Sequence, residues 1–307
     1  MRSKLAPKTT VVVLNWNSHE MTAECIRSLL AMDGADFEII VVDNGSTDGS
    51  VERLPQEFPQ ITVLPQGRNL GFAAGCNVGM RYALANGGEY ILLLNNDTFV
   101  APDLIREMLA VIESDPHIGA VCPKIYFADH PDLLWYAGAD FSLWMGTSKL
   151  RGWREIDHGQ FDGRQEITQA TGCAMLVRRS ALCEVGLLDE QFWAYAEDLD
   201  WSLRFLERGY RLTLAPKARL WHCCGATSVK AMGSGSQAIR QFFSTRNMIF
   251  VARKHLCWWQ MPTYLLGFSL SHIAFYTALR LWRRDFRALL AIYRGIGRGL
   301  LSSLNSA

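Results

Sequence analysis

The sequence predicts an α/β fold: a mostly parallel sheet flanked by helices, followed by a helical C-terminal appendage. Three observations lead there. Short aliphatic runs recur at Thr10–Leu14, Phe37–Val42, Ile61–Leu64, Tyr90–Leu94 and Ile118–Cys122. Segments of helical period separate them, joined by short loops. Several runs end in a polar cluster, at Asn15-Trp16-Asn17, Asp43-Asn44-Gly45-Ser46 and Asn95-Asn96-Asp97. Strand and helix alternating in this way read as a parallel sheet covered on both faces.

The elements follow in order. Thr10–Leu14 is a buried strand, and Ser18 can cap a helix to about Met32, with Met21, Cys25, Ile26, Leu29 and Leu30 on one face. Phe37–Val42 is the second strand; Ser46–Glu52 begins a second helix; Ile61–Leu64 is a third strand. Gly67–Gly71 is a loop and Phe72–Ala85 a third helix. Tyr90–Leu94 is the fourth strand, Pro102 opens a helix to about Glu113, and Ile118–Cys122 is another strand. From Tyr126 to Gln169 aromatic and Gly-rich segments (Trp135, Trp144, Trp153) predict loops and antiparallel strands that cover a site. Ala174–Val177 is a strand, Ser180–Val185 a short helix and Leu199–Arg208 a longer one. Tyr210–Leu214 and Ala218–His222 read as edge elements.

The chain has 307 residues, 49% of them hydrophobic, which suits one catalytic domain with an appendage and excludes a disordered chain. The division expected is 1–250 for the catalytic domain and 251–307 for a helical, basic region. Net charge is +1, which gives no bias toward nucleic acid. That charge is uneven, because Ala238 to the end holds ten Arg or Lys and one acid, Asp285. Eight cysteines show no CxxC pair. With no apolar stretch at the amino end, a reduced cytoplasmic setting is expected.

In parallel sheets, ligands bind outside the carboxyl ends of the strands. Asn15, Asp43 and Asp97 occupy those ends. With Glu197-Asp198 in YAEDLDW and His222 in WHCCGATS, they could hold a divalent cation and a diphosphate. A separate carboxylate would take a proton from an attacking hydroxyl. Each residue also has a plainer reading. Asp43 and Asp97 can be turn formers, Glu197-Asp198 a solvated helix start, and His222 a packed histidine.

The sequence resembles the family 2 glycosyltransferases of GT-A fold, in particular their bacterial rhamnosyltransferase-like branch. The likeness runs from about Thr10 to Asn247. It rests on VVVLNWN, IIVVDNGSTDGS, GRNLGFAAGCNVGM, YILLLNNDT, TGCAMLVRRSALCEVGLLDEQFWAYAEDLDWSLRFLERGYRL, HCCGATS and FFSTRN in this order. The resemblance implies a Rossmann-like nucleotide site. Asn15, Asn17 and Asp43 would meet the nucleotide, with Asp43 accepting from the base. Gly71, Ala74 and Asn77 would line its pocket. Asn95-Asn96-Asp97 would stand for the family's metal motif, with Asn95 where an acid is usual and Asp97 as the ionised ligand. His222 would contact Mg²⁺ or Mn²⁺, or the diphosphate. Asp198 would be the general base, Glu197 its positioning partner, and Arg246 would face the diphosphate or acceptor. Gly172-Cys173-Ala174 would lie beneath the acceptor. The reaction implied is a single inverting displacement from a nucleotide-sugar donor, dTDP-rhamnose favoured over other dTDP, UDP or GDP sugars. The acceptor implied is a cell-surface polysaccharide or a lipid-linked glycan precursor.

The tail has 24 residues without Asp, Glu, Lys or Arg, Leu256–Leu279, flanked by basic residues on both sides. Their length permits a span, but Gln260, Pro262 and His272 dilute it. The reading favoured is an interfacial or re-entrant helix pair on an anionic membrane surface, peripheral on the cytoplasmic face of the inner membrane. A span, or helices packed on the domain or in a homodimer, are the alternatives. A nucleotidyltransferase is disfavoured because LNWNS lacks a basic Gly-rich loop, and a dinucleotide oxidoreductase because no G-x-G-x-x-G follows the first strand. A non-catalytic nucleotide-sugar-binding scaffold is the remaining alternative, supported by Asn95.

Overall fold

The computed structural model describes residues 9–33, 36–163, 165–223 and 236–304. The strands are β1 (Thr9–Asn15), β2 (Phe37–Asp43), β3 (Thr62–Pro65), β4 (Tyr90–Asn95), β5 (Thr98–Val100), β6 (Ile118–Phe127), β7 (His130–Tyr136), β8 (Ala139–Ser142), β9 (Thr147–Leu150), β10 (Glu166–Ile167), β11 (Ala174–Arg178) and β12 (Arg211–His222). The α-helices are α1 (His19–Leu30), α2 (Ser50–Glu57), α3 (Phe72–Ala85), α4 (Leu104–Glu113), α5 (Arg179–Val185), α6 (Glu197–Glu207), α7 (Ser236–His255), α8 (Met261–Phe268), α9 (Phe275–Trp282) and α10 (Phe286–Leu301). A π-helical turn at Ser269–Ala274 joins α8 to α9.

The central sheet runs β10-β12-β6-β11-β4-β1-β2-β3. Its amino-terminal half is parallel, β1 pairing with β2 and β4, and β2 with β3. β11 then runs antiparallel to both β4 and β6, so the remaining half is mixed. The expected α/β class holds; beyond β11 the pairing returns to parallel where β12 runs alongside β6. Val11, Val13, Ile40, Val41, Ile91 and Leu92 have no exposed surface and form the centre of the core. Helix α3 lies against β1 through Gly75 and Gly79, where a Cβ would overlap Leu14 and Val12.

Several boundaries differ from the sequence reading. Tyr210–Leu214 and Ala218–His222 are not edge elements. They form one strand, β12, inside the sheet between β6 and β10. The pairing with β6 shifts between Ala215 and Arg219, where Pro216 has no N–H to donate. That interruption hid the continuity. The second helix starts at Ser50 rather than Ser46. Asp48 accepts from the Ser50 backbone at 3.1 Å and Gly49 takes φ 82°, so the first residues form a turn. Ser18 makes no side-chain cap on α1; Asp48 accepts from the His19 N–H instead, at 3.0 Å. Glu197 and Asp198 open α6, two residues before the expected start. The segment 126–169 does carry antiparallel strands, including the β8–β9 hairpin. In the tail, α7 crosses position 250, and no described helix is long and apolar enough to cross a membrane.

Candidate active site

The ends of β1, β2 and β4 lie side by side, with Asn15 paired to Asp43 in register and Leu14 to Asn95. Beneath them is a buried polar knot. The Asn15 amide donates to Asp43 Oδ2 at 2.8 Å, and Ser46 N–H donates to Asp43 Oδ1 at 2.8 Å. Thr22 Oγ1 donates to Asn15 Oδ1 at 2.8 Å, and Asn96 donates to Thr22 Oγ1 at 2.9 Å. Asn17 Oδ1 accepts from Thr47 N–H at 2.7 Å. Asn44 reaches outward from this knot. Its amide donates to Gly71 O at 3.1 Å and its oxygen accepts from Leu70 N–H at 2.9 Å, fixing the GRNLG loop.

Above the knot is a cleft of about 400 Å³. Asn95, Asn96 and Asp97 form one wall, since the chain turns sharply there from β4 into β5. β5 pairs with the end of β12, which brings Thr98 opposite His222. His222 Nε2 therefore lies 3.1 Å from Asp97 Oδ1, and both residues are more than nine-tenths buried. Trp135 meets the His222 ring edge to face, with centroids 5.0 Å apart.

The opposite wall is the start of α6. Asp198 Oδ2 accepts from Gly172 N–H at 3.0 Å and Oδ1 from Leu199 N–H at 2.8 Å. Each oxygen keeps a lone pair for a ligand. Burial pushes the Asp198 carboxyl above the usual aspartate range, and the two N–H donors partly oppose that. Glu197 beside it is 6% exposed, and its buried Oε2 has no hydrogen-bond partner. Burial raises its carboxyl well above the usual range, and the neighbouring Asp198 charge adds to the effect. Burial therefore acts on both carboxyls in the same direction, and the N–H donors oppose it only at Asp198.

The loop before α6 is held in an unusual shape. Trp193, Tyr195 and Ala196 all have positive φ, at 61°, 69° and 64°. Such conformations persist only where surrounding contacts impose them. Buried Asn247 on α7 donates to the carbonyls of Phe192, Ala194 and Tyr195 at 2.6–2.9 Å. Arg246 donates to Gln191 O and Phe192 O at 2.9 and 2.7 Å. Trp193 stacks on Phe243 with centroids 4.8 Å apart.

Gly71, Asn95, Asn96, Asp97, Glu197, Asp198 and His222 therefore share the cleft. Asn15, Asn17 and Asp43 do not line it. Asp43 has no exposed surface, and both its oxygens already accept from the protein. Asn77 also lies away, its amide holding Leu188 O at 2.8 Å and Glu190 at 2.9 Å. Ala74 sits on α3 outside the cleft lining. Arg246 straps the 191–192 backbone, and burial lowers its guanidinium to about 10. In its stead Arg240, exposed and on the same helix, lines the cleft. Six residues apart on a helix means well separated faces, so the arginine of FFSTRN and the arginine at the cleft point in different directions. The aromatic lining (Trp16, Phe72, Trp135, Trp193 and Tyr195) was also missed as a group, because its members come from distant loops. The expected HCCGATS position extends beyond Cys223 into residues outside those described.

Asp97, in the turn between β4 and β5, and His222, at the end of β12, present an oxygen and a nitrogen at the cleft. They fit a divalent cation held mainly by a diphosphate, which needs few protein ligands. Among the described residues no group of three His, Cys, Asp or Glu side chains is placed to hold a metal alone.

Comparison with known proteins places the chain by family and fold. The family model described as "Glycosyl transferase family 2" matches residues 10–186. The chain is 27% identical to N-acetylglucosaminyl-diphospho-decaprenol L-rhamnosyltransferase of Mycobacterium tuberculosis, over 89% of this chain and 95% of that one. It is 25% identical to the dTDP-rhamnosyl transferase RfbF of Shigella flexneri, over 85% and 86%. Among solved structures, the mannosyltransferase PcManGT of Pyrobaculum calidifontis, in complex with GDP-Man and Mn²⁺, superposes with a TM-score of 0.57 at 17% identity. That match covers 97% of this chain and 88% of that one.

Proposed function

We propose, because the chain belongs to glycosyl transferase family 2, that it moves a sugar from a nucleoside-diphosphate donor to a hydroxyl of a lipid-linked or cell-surface glycan, with inversion. The observation that carries this reading is the convergence of Asp97, His222, Glu197 and Asp198 on one cleft, from positions 125 residues apart in sequence.

In this mechanism the diphosphate lies against Asp97 and His222. A bound Mg²⁺ or Mn²⁺ would offset charge on the leaving diphosphate. Arg240 at the cleft margin adds a second positive group for phosphate. Asp198 stands across the cleft and accepts the proton of the attacking hydroxyl. As the acceptor oxygen bonds to the anomeric carbon, the carbon–oxygen bond to phosphate breaks, and its electron pair leaves with the nucleoside diphosphate. Gly172 and Leu199 fix Asp198 in place, so orientation is prepaid in the fold. Glu197, beside Asp198 in the cleft lining, positions the acceptor or Asp198. Nothing in this sequence of bond changes needs a covalent enzyme intermediate.

The donor proposed is dTDP-rhamnose. The names of the two relatives favour it, and the aromatic cleft walls suit the C–H faces and methyl group of a deoxy sugar. The nucleobase then lies toward Asn44, Asn69 and Gly71. A panel of dTDP-, UDP- and GDP-sugars, assayed for nucleoside diphosphate release with and without Mn²⁺, tests the reading. Metal-stimulated release is expected from dTDP-rhamnose above the others. No release from any donor would favour a non-catalytic scaffold, and a preference for another donor would overturn the sugar assignment alone.

A further inference from the structure

We infer that the C-terminal helices form an in-plane docking face for an anionic lipid surface. Among the described residues, thirteen of the nineteen exposed large hydrophobic side chains lie between Trp258 and Leu301. Leu265, Leu266, Leu270, Phe275, Leu281 and Trp282 are exposed along the helix that runs from α8 to α9. These exposed positions occur both before and after the π turn at Ser269–Ala274.

Other positions of this helix are fixed to the protein. Tyr264 Oη donates to Met248 O at 2.7 Å, Thr245 Oγ1 lies 3.2 Å from His272 Nε2, and Gly267 leaves no room for a Cβ against Met145. Burial lowers His272 to about 4, so this inner contact stays neutral near pH 7. With its inner side packed along its length, the helix lies flat on the protein rather than standing across a bilayer.

The charges select the occupant. Arg283, Arg284, Arg287, Arg294 and Arg298 are exposed and alternate in sequence with the exposed apolar residues Trp282, Phe286, Tyr293 and Leu300. Asp285, the one acid from 256 to 304, is engaged: it accepts from Ala288 N–H at 3.0 Å and lies 3.7 Å from Arg280. A second copy of this face would set arginine against arginine. An anionic lipid surface complements both features, accepting Trp and Leu among the acyl chains and pairing the arginines with headgroups. At the two ends of the helix, Trp258 and Trp282 are 81% and 80% exposed, as interfacial anchors require. Helix α10 packs on α7, whose first turns carry Arg240 into the cleft. The docking face is thereby tied to the site. This inference deepens the lipid-linked acceptor reading and rests on it for its purpose, not for its physics.

The experiment sediments the full-length protein with vesicles of phosphatidylcholine alone and with vesicles containing phosphatidylglycerol, with no acceptor present. Binding is expected to be at least tenfold stronger to the anionic vesicles and to weaken with salt. The triple variant Arg283→Glu, Arg284→Glu, Arg287→Glu and the variant Trp258→Ser, Trp282→Ser should each lose it at least tenfold. The triple lysine variant should keep it, which separates charge from local folding. Nucleoside diphosphate release in solution should stay at the wild-type rate in all of them. Equal binding to both vesicle types, no binding, or unchanged binding in the glutamate variant would overturn the inference. So would a dimer in light scattering that the tryptophan variant dissolves, which assigns the face to a second copy. Vesicle binding without any sugar transfer would leave this inference standing and remove the enzyme reading.

Discussion

At the residue scale, Glu197 and Asp198 show how burial and N–H donors act on two adjacent carboxyls. Glu197 has the deeper position and an oxygen without a partner, whereas Asp198 has two N–H donors. A buried acid with a raised folded value binds more protons folded than unfolded. Its stabilising effect is then largest at low pH and is lost as pH rises from the ordinary glutamate value toward the raised one. Glu197→Gln removes that loss. The variant should melt higher than the wild type at pH 8, and the gain should vanish below pH 4, as followed by calorimetry across that range. A melting temperature lower at every pH would contradict the raised value. Asp97→Ala makes a separate prediction. It should weaken Mn²⁺-dependent binding of nucleoside diphosphate by about tenfold or more, the loss of one charged ligand contact, while metal-free binding changes little. Titration calorimetry with and without Mn²⁺ reads both. The placement of these residues was legible in the sequence because each lies beside a strand end or helix start. The protection of Asp43 was not. Its partners Asn15 and Ser46 serve a buried knot, and only the paired register of β1 and β2 shows that both oxygens are taken.

At the element scale, the cleft depends on two close fits. One is α3 against β1 at Gly79. Adding a methyl group there should destabilise the protein by about 1–3 kcal/mol through overpacking. Gly79→Ala should show this in urea unfolding with an unchanged slope, and a variant as stable as wild type would mean that α3 can shift. The other is Asn247 holding the positive-φ loop at 193–196. The loop's shape was out of reach of sequence reasoning, since no glycine marks Trp193, Tyr195 or Ala196. Their conformation is imposed from α7, more than fifty residues later. Local patterns read well where the contacts are local, as in α3, whose limits match expectation at both ends. They failed at β12, where Pro216 made one strand look like two.

At the scale of the whole molecule, the tail is joined to the catalytic body by charge as well as by packing. Asp200 on α6 has no exposed surface and meets Arg204 Nε at 2.9 Å, Lys254 Nζ at 2.7 Å and His255 Nε2 at 2.9 Å. Burial alone would raise Asp200; His255, Arg204 and Lys254 more than offset it and bring it to about 2. His255, desolvated but flanked by Asp200 and Glu207, is raised above the usual histidine range. The depressed aspartate stabilises the fold above its ordinary value near 4, an effect lost as pH falls to about 2. The raised histidine stabilises below about 6.5, and that effect is lost as pH climbs through its folded value. The melting temperature should therefore peak between about pH 4 and 6.5, and His255→Gln should flatten the alkaline side of the profile. A profile whose alkaline side is unchanged in that variant would show that this network does not join tail to body. The basic, apolar character of the tail was visible in composition; which side of each helix faces outward was not, because that follows from contacts with α7 and the β8–β9 hairpin.

The most direct test of the transfer site compares Asp198→Asn with the wild type in one preparation, measuring donor binding by calorimetry and sugar transfer by product formation. Donor affinity is expected to stay within about twofold and the transfer rate to fall by about 10²–10⁴-fold, the range for loss of a general base. Transfer within tenfold of the wild-type rate would contradict the role of Asp198.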